Sequence, residues 1–330
     1  MNNSLARAIA LTFAAALSVN AAVRYKDAVF TSFNQVLNVK YGQAGTTALY
    51  LDYYEPAGDT VSKRAVVIWV HGGGFTGGDK GGDWQTFARN MTRFGYVSVS
   101  INYRLSSDYT GNTGQQDARA AVRWVRAKAD SLRLDTSNIA IGGGSAGAII
   151  SMAVAYWEGP EGTSGNPGYS SAVHAVIDMW GWLHPVTEME AGEPPIDIIH
   201  GTADETVPFA EGEAIHAQAD AVGVPHVWRP LQGTGHSAYT YVISNLWWVT
   251  DFLYDYMIAG NTTPVTSGRA PAVMPRHGRA ALTPKGATAP WQFDALGRAV
   301  TRRPHAPGVP ALRVAQGTGD GTEALKAVSR

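Results

Sequence analysis

The clearest chemical signal in the chain is Gly143-Gly144-Ser145-Ala146-Gly147. A serine hydroxyl becomes a useful nucleophile only when a turn lifts it clear of the backbone and a base removes its proton. Here a strand-like run, 138–142, leads straight into the serine, and a helix-like run begins at Ala146. Such a sharp strand-to-helix turn needs small flanking residues, and it sets the hydroxyl at a helix N-terminus whose partial positive charge favours an oxyanion. A glycine-rich phosphate loop or a plain turn is the competing reading. A second glycine cluster, His71-Gly72-Gly73-Gly74-Phe75, follows an earlier apolar run. Three consecutive glycines there leave backbone N–H groups free to meet a developing negative oxygen. His71 itself is read as structural, holding the loop by a hydrogen bond, in preference to a second base.

The partners such a serine needs occur later in the chain. His200-Gly201-Thr202-Ala203-Asp204-Glu205-Thr206-Val207-Pro208 places Asp204 on a loop after the strand-like run 196–200. Gly233-Thr234-Gly235-His236-Ser237 places His236 on the loop after the next run, 226–231. The order Ser145, Asp204, His236 is one in which a nucleophile, the orienter of its base and the general base itself are found. Glu205 is the nearest rival acid, and the D-x-x-V-P setting favours Asp204. Asp178 and Asp197 fall in or near strands. Of the nine histidines, His236 combines a loop position with flanking glycines.

These loops need a scaffold that brings them to one edge. Residues 65–70 form a continuous apolar run, the pattern of a strand buried on both faces of a parallel sheet. Residues 96–101, 138–142, 173–179 and 196–200 repeat it, and helix-like segments lie between, at 115–130, 146–157 and 209–221, with a last helix at 246–257. On 115–130, Ala118, Ala121, Val122, Val125 and Ala129 fall at spacings of three and four, one stripe facing a sheet. The alternation predicts an α/β fold: a mostly parallel central sheet with helices on both faces. Residues 48–54 alternate without a crossover helix and are expected as an antiparallel strand at one edge.

Composition removes several other chemistries. The 330 residues contain no cysteine, which excludes a thiol nucleophile, thiolate metal sites and disulfides. The formal charge of -1 gives no footprint for nucleic acid. It is unevenly spread: residues 261–330 hold ten basic and three acidic side chains, net +7, against net -8 for the first 260. Residues 1–21 read as an export signal, with Arg7, an apolar run from Ala8 to Leu17 too short to span a bilayer, and Val19-Asn20-Ala21 before a cleavage point. A buried N-terminal helix is the alternative. Residues 22–260 are then the catalytic domain, 261–290 a proline-rich linker and 291–330 a basic tail. The expected location is secreted or cell-surface, without a membrane span.

Taken together, these motifs resemble the α/β-hydrolase superfamily, in particular carboxylesterases with an H-G-G-G motif, related to the hormone-sensitive-lipase-like and feruloyl-esterase-like enzymes. The resemblance runs from about Tyr50 to Met257 and includes Tyr103-Arg104-Leu105, Asp117 and Trp124-Val125. It implies the α/β-hydrolase fold, with Ser145 as nucleophile, His236 as base and Asp204 as orienter. The N–H groups of Gly73, Gly74 and Ala146 would form the oxyanion hole. No large cap is present in the sequence: 159–171 is short and rich in Gly, Pro and Ser. The tail resembles sorting domains of type IX secretion over about 30 residues, through Asp294-Ala295-Leu296-Gly297-Arg298 and Ala306-Pro307-Gly308-Val309, with an unstructured basic tail as the other reading.

The function implied is a serine carboxylic-ester hydrolase for short-chain or aryl esters, including acetyl or feruloyl esters of plant polysaccharide. It needs no metal or organic cofactor, and its partner is the ester substrate. Phe75, Trp84, Tyr103, Trp180, Trp182, His184 and Tyr239 lie on loops after strands or beside the motifs, and are candidates to line the site or to pack the core. A serine peptidase of the prolyl-oligopeptidase type shares the triad order, but this chain lacks a gating domain. A non-catalytic binding module would usually have lost a triad member.

Overall fold

The computed structural model describes residues 22–106 and 112–260, with the backbone of 292–293 and 299–300. The expected export signal, the linker and most of the tail lie outside the described residues. Eight strands form one sheet: β1 (Phe33–Ala44), β2 (Thr47–Pro56), β3 (Arg64–Val70), β4 (Val97–Ile101), β5 (Leu134–Gly144), β6 (Ala175–Met179), β7 (Ile196–Gly201) and β8 (His226–Leu231). Their order is β1-β2-β4-β3-β5-β6-β7-β8. From β4 to β8 all neighbours are parallel, whereas β2 is antiparallel to both β1 and β4. The order reverses at β3, with β4 on one side and β5 on the other. In open parallel sheets, a crevice forms at the carboxyl ends of the strands at such a point.

Strand β3 accounts for the two-sided core. Its residues are all buried, and period-two alternation sends them to opposite faces. Val66, Ile68 and Val70 pack in one cluster with Ala118, Ala121, Val122 and Val125 of α2 (Asn112–Ala127) and Ile149 and Ile150 of α4 (Ala146–Tyr156). Four residues of the apolar stripe read from the sequence lie on the face that α2 buries, and the fifth, Ala129, opens α3. Ala65, Val67 and Trp69 join a second cluster with Trp84, Phe87 and Met91 of α1 (Gly82–Thr92) and Trp248, Val249 and Phe252 of α7 (Trp247–Phe252). The remaining helices are α3 (Ala129–Leu132), α5 (Phe209–Val222) and α6 (Tyr239–Ser244).

Three sequence expectations change. Residues 48–54 are antiparallel but not at the edge, because the longer β1 pairs outside them with Val36 opposite Tyr53 and Lys40 opposite Tyr50. Most of β1 is solvent-exposed, so it lacks the apolar run by which the inner strands are recognised. Helix α1 was not foreseen. The glycines at 77, 78, 81 and 82 mask its start, although Trp84, Phe87, Ala88 and Met91 keep helical spacing. The segment expected as one helix at 115–130 divides into α2 and α3, whereas the last helix keeps its expected extent, α7 passing at Leu253 into π-helical winding that ends at Ile258.

The second unit, residues 288–330, contains a two-stranded antiparallel pair, with Phe293 opposite Ala299 and Gln292 opposite Val300.

Candidate active site

Local sterics set the turn at the end of β5. Gly143 packs against the Val70 carbonyl, and Gly147 against the carbonyls of Val70 and His71; a Cβ at either position would overlap them. Only glycine at both positions lets β5 and α4 close on the end of β3. Ser145 between them adopts φ 55° and ψ −124°, a conformation rare for a residue with a side chain and held only where surroundings over-determine it. Its N–H donates to the Met179 carbonyl at 2.9 Å. Ala146 opens α4, so its N–H belongs to the first turn, which has no intrahelical acceptors.

The glycine loop after β3 lies against this serine. A Cβ on Gly72 would stand 3.5 Å from the Ser145 Cβ and 3.2 Å from the Tyr239 hydroxyl. Gly73 and Gly74 take φ of 115° and 58°, and Phe75 follows with φ 63°. The loop closes on itself through the Gly73 carbonyl, which accepts from the N–H groups of Thr76 and Gly77. His71 is buried and stacks on Tyr103 with ring centroids 4.2 Å apart. Its Nδ1 lies 2.7 Å from the Gly72 carbonyl, and burial, partly opposed by that bond, pushes the imidazole down to about 4. A neutral, enclosed ring of this kind is a brace for the loop, as the sequence reading has it.

Asp204 and His236 meet as an acid–base pair. His236 Nδ1 lies 2.7 Å from Asp204 Oδ2, and the other carboxylate oxygen accepts from the N–H groups of Thr206 and Val207 at 2.9 and 3.0 Å. The Asp204 side chain is fully buried and that of His236 is 14% exposed. Burial alone would raise the acid. Hydrogen bonds from His200 and His236, the His236 charge and the Val207 N–H outweigh it and hold Asp204 well below the ordinary carboxylate range. A carboxylate at this position fixes the hydrogen on Nδ1 of His236 and leaves Nε2 to accept a proton. The rival acids are engaged elsewhere. Asp197 accepts from Arg229 at 2.6 Å, Asp178 accepts from the Gly181 N–H at 2.9 Å, and Glu205 is exposed.

His200 is the contact that sequence reasoning missed. Its Nε2 donates to the Val207 carbonyl at 3.0 Å and stands 3.5 Å from Asp204 Oδ2, with both side chains buried. The signal was available, because His200 opens the motif that contains Asp204.

The aromatic candidates divide by burial. Trp84 is buried in the second core cluster, stacked on Phe87 and edge-on to Tyr239. Tyr103 is buried behind His71 and donates to its carbonyl at 3.1 Å. Both are supports for the site rather than exposed walls of it. Trp180, fully buried, lies against Gly144 and edge-on to Tyr239 and His236, making it the floor under the pair. Phe75 and Tyr239 are buried beside the glycine loop, while half-buried Trp182 stacks on exposed His184.

The loop at 159–171 also has a defined place. Arg123 donates to the Glu161 and Gly165 carbonyls, and Arg126 to those of Ser170 and Ala172. Gln43 of β1 donates to the Ser164 carbonyl at 2.6 Å. The loop is thereby laid along α2 and β1, with Ser164 donating to Asp117 at 2.6 Å.

Residues 51–184 match the model of the BD-FAE family. The chain is 27% identical over 241 residues to a probable carboxylic ester hydrolase, LipM, of Mycobacterium tuberculosis, covering 61% of this chain and 55% of that protein. It is 36% identical over 110 residues to an acetylcholinesterase of Gallus gallus, covering 30% and 14%. The chain thus spans about half or less of the length of these curated relatives. Among solved structures it is similar to the thermophilic esterase Est2 of Thermogutta terrifontis, with a TM-score of 0.60 at 22% identity over 70% of this chain and 94% of that one. A butyrate-bound form of Est2 gives a TM-score of 0.59 at 23% identity, covering 66% and 92%. The chain has the α/β-hydrolase fold, and residues 51–184 of it are similar to the BD-FAE family.

Proposed function

We propose that this protein is a secreted serine hydrolase of carboxylic esters, acting on short-chain or aryl esters, with acetyl and feruloyl esters of plant polysaccharide as the substrate class. The observation that carries the reading is the 2.7 Å contact of His236 with buried Asp204, together with Trp180, which packs both on His236 and on Gly144 next to a serine in a left-handed turn. In this mechanism His236 Nε2 takes the Ser145 proton as Oγ attacks the ester carbonyl. The N–H groups of Gly73, Gly74 and Ala146 receive the oxyanion. The bond to the alcohol breaks as His236 returns the proton to it, and water then releases the acid from Ser145 by the same steps. Protonated His236 cannot begin this cycle, so the rate falls toward acid.

Preference for short acyl groups is supported by the shortness of the loop at 159–171, which is tied to α2 and β1. A long chain gains about 0.8 kcal/mol per methylene only where a wall buries it. The test is a p-nitrophenyl ester series beside Gly-Pro p-nitroanilide. Specificity should peak at roughly two to four carbons, with no peptidase activity. A specificity constant that climbs to long chains overturns the acyl preference, and cleavage of the anilide alone overturns ester hydrolysis. Acetylated xylan and methyl ferulate then discriminate the natural ester. Residues 1–21 direct export in this reading, and 261–330 serve sorting or surface attachment; fractionation of cells producing the full chain checks both.

A further inference from the structure

Far from Ser145, at the amino-terminal end of β8, three side chains converge that the ester chemistry does not use. His216 and Asp220 lie one turn apart on α5, and His226 is the first residue of β8. His226 Nδ1 is 2.9 Å from the Val224 carbonyl. A carbonyl can only accept, so Nδ1 carries the ring hydrogen and Nε2 presents a lone pair. That lone pair faces His216 Nδ1 at 2.8 Å and Asp220 Oδ1 at 3.6 Å. If His216 donates through Nδ1, its own Nε2 lone pair then faces Asp220 Oδ2 at 3.7 Å, two acceptors with no hydrogen between them. One ligand atom from each residue lies within 4.8 Å of the others. The group is richer in electron pairs than in protons.

We propose that His216, Asp220 and His226 form a binding site for a divalent cation of the zinc class. Two imidazole nitrogens and one carboxylate oxygen suit zinc, nickel or copper, whereas magnesium and calcium take oxygen ligands. The ligand atoms are His226 Nε2, His216 Nδ1 and one Asp220 oxygen. The hydrogen on His216 moves to Nε2, toward the other Asp220 oxygen. The bond from His226 Nδ1 to a main-chain carbonyl is the support that orients metal-binding histidines generally. His226 is fully buried while His216 and Asp220 are 27% and 42% exposed, so the site opens to solvent on one side for entry and for a completing water. Trp228 stacks on His216 with rings 5.5 Å apart and limits its rotation.

The placement gives the ion a structural role. Helix α5 begins soon after Asp204, and β8 ends shortly before His236. The ion would pin the far ends of the two elements whose near ends carry the acid and the base. Binding to the folded state alone raises its stability by mass action without touching the reacting atoms.

The full chain, freed of metal with EDTA, is titrated with ZnCl2 by calorimetry at neutral pH, with MgCl2 as the control. Thermal unfolding and p-nitrophenyl acetate hydrolysis are measured in parallel. One zinc should bind and raise Tm, magnesium should not, and the ester rate should be unchanged by EDTA. His216→Gln at a half-buried position and Asp220→Asn at an exposed one should each weaken zinc at least about tenfold while keeping the ester rate. His226→Gln is buried and serves only if it folds. Zinc affinity left unchanged in both His216→Gln and Asp220→Asn overturns the site, as does a wild-type chain with no zinc binding above that of magnesium.

Discussion

The two ends of the sheet are built differently. At the carboxyl ends of the strands, Phe75, Ser145, Trp180 and Ser237 all hold positive φ, between 50° and 66°, on the loops after β3, β5, β6 and β8. At the opposite end, left-handed turns before β4 and after α5 use Gly95 and Gly223, while Tyr25 beside the start of β4, Arg133 before β5 and Asn166 in the loop before β6 carry side chains at φ of 70°, 53° and 52°. Each strained side-chain-bearing residue costs on the order of 1–3 kcal/mol. The carboxyl ends gather four such residues on loops beside the serine, the glycine loop and the acid–base pair, whereas three lie at the opposite end. The fully buried strands β3, β4, β6 and β7 between the two ends offset the strain.

The largest effect is expected at Ser145. Ser145→Ala should lower ester turnover by about 10⁴–10⁶ with an unchanged circular dichroism spectrum. Asp204→Asn should cost about 10⁴ by releasing the His236 tautomer. If Ser145→Ala retains a tenth of wild-type turnover, the strained turn is not the reacting centre.

A matched pair sharpens the contrast between edge and body. Gly147→Ala pushes a methyl into the Val70 and His71 carbonyls, and displacement of the turn should cost turnover about 10²-fold or more. Ile198→Ala, at a fully buried position in β7, should cost about 2–5 kcal/mol of stability in denaturant melts while kcat/KM stays near wild type. Equal losses of turnover in the two variants would erase the distinction.

A pH dependence is expected as well. His71 titrates at about 4 in the folded chain, below its ordinary value of about 6.5, so the unfolded chain binds the proton more readily between these values. Its contribution is complete above about 6.5 and is lost as pH falls toward 4, amounting to about 3 kcal/mol. Asp178 and Asp197, each pushed up to about 6 by burial, work in the opposite sense over much of this range. The measurement is therefore the difference in unfolding free energy between wild type and His71→Gln across that window. A difference that does not change with pH would remove the neutral brace from the account of the oxyanion loop.

Ser145, Asp204 and His236 were legible because each sits in a short motif whose chemistry is local: a turn that only glycines permit, or a loop after an apolar run. Alternation of apolar runs and helical stripes likewise determined the parallel sheet, since a strand buried on both faces has little choice of composition. Tertiary structure decided what depends on distant partners. Strand β1 is exposed over most of its length, and only its register with β2 makes it the edge. Burial separated Trp84 and Tyr103, which brace the site, from Trp182, which meets solvent, although all three occupy similar places in the sequence. His200 reaches Asp204 because both side chains turn into the same dry interior. His216, Asp220 and His226 meet because the three-residue link after α5 folds its last turns back onto β8. Spacing along the chain fixes a turn or a helix face, but the meeting of side chains from different elements depends on how those elements pack, where the burial of apolar surface sets the geometry.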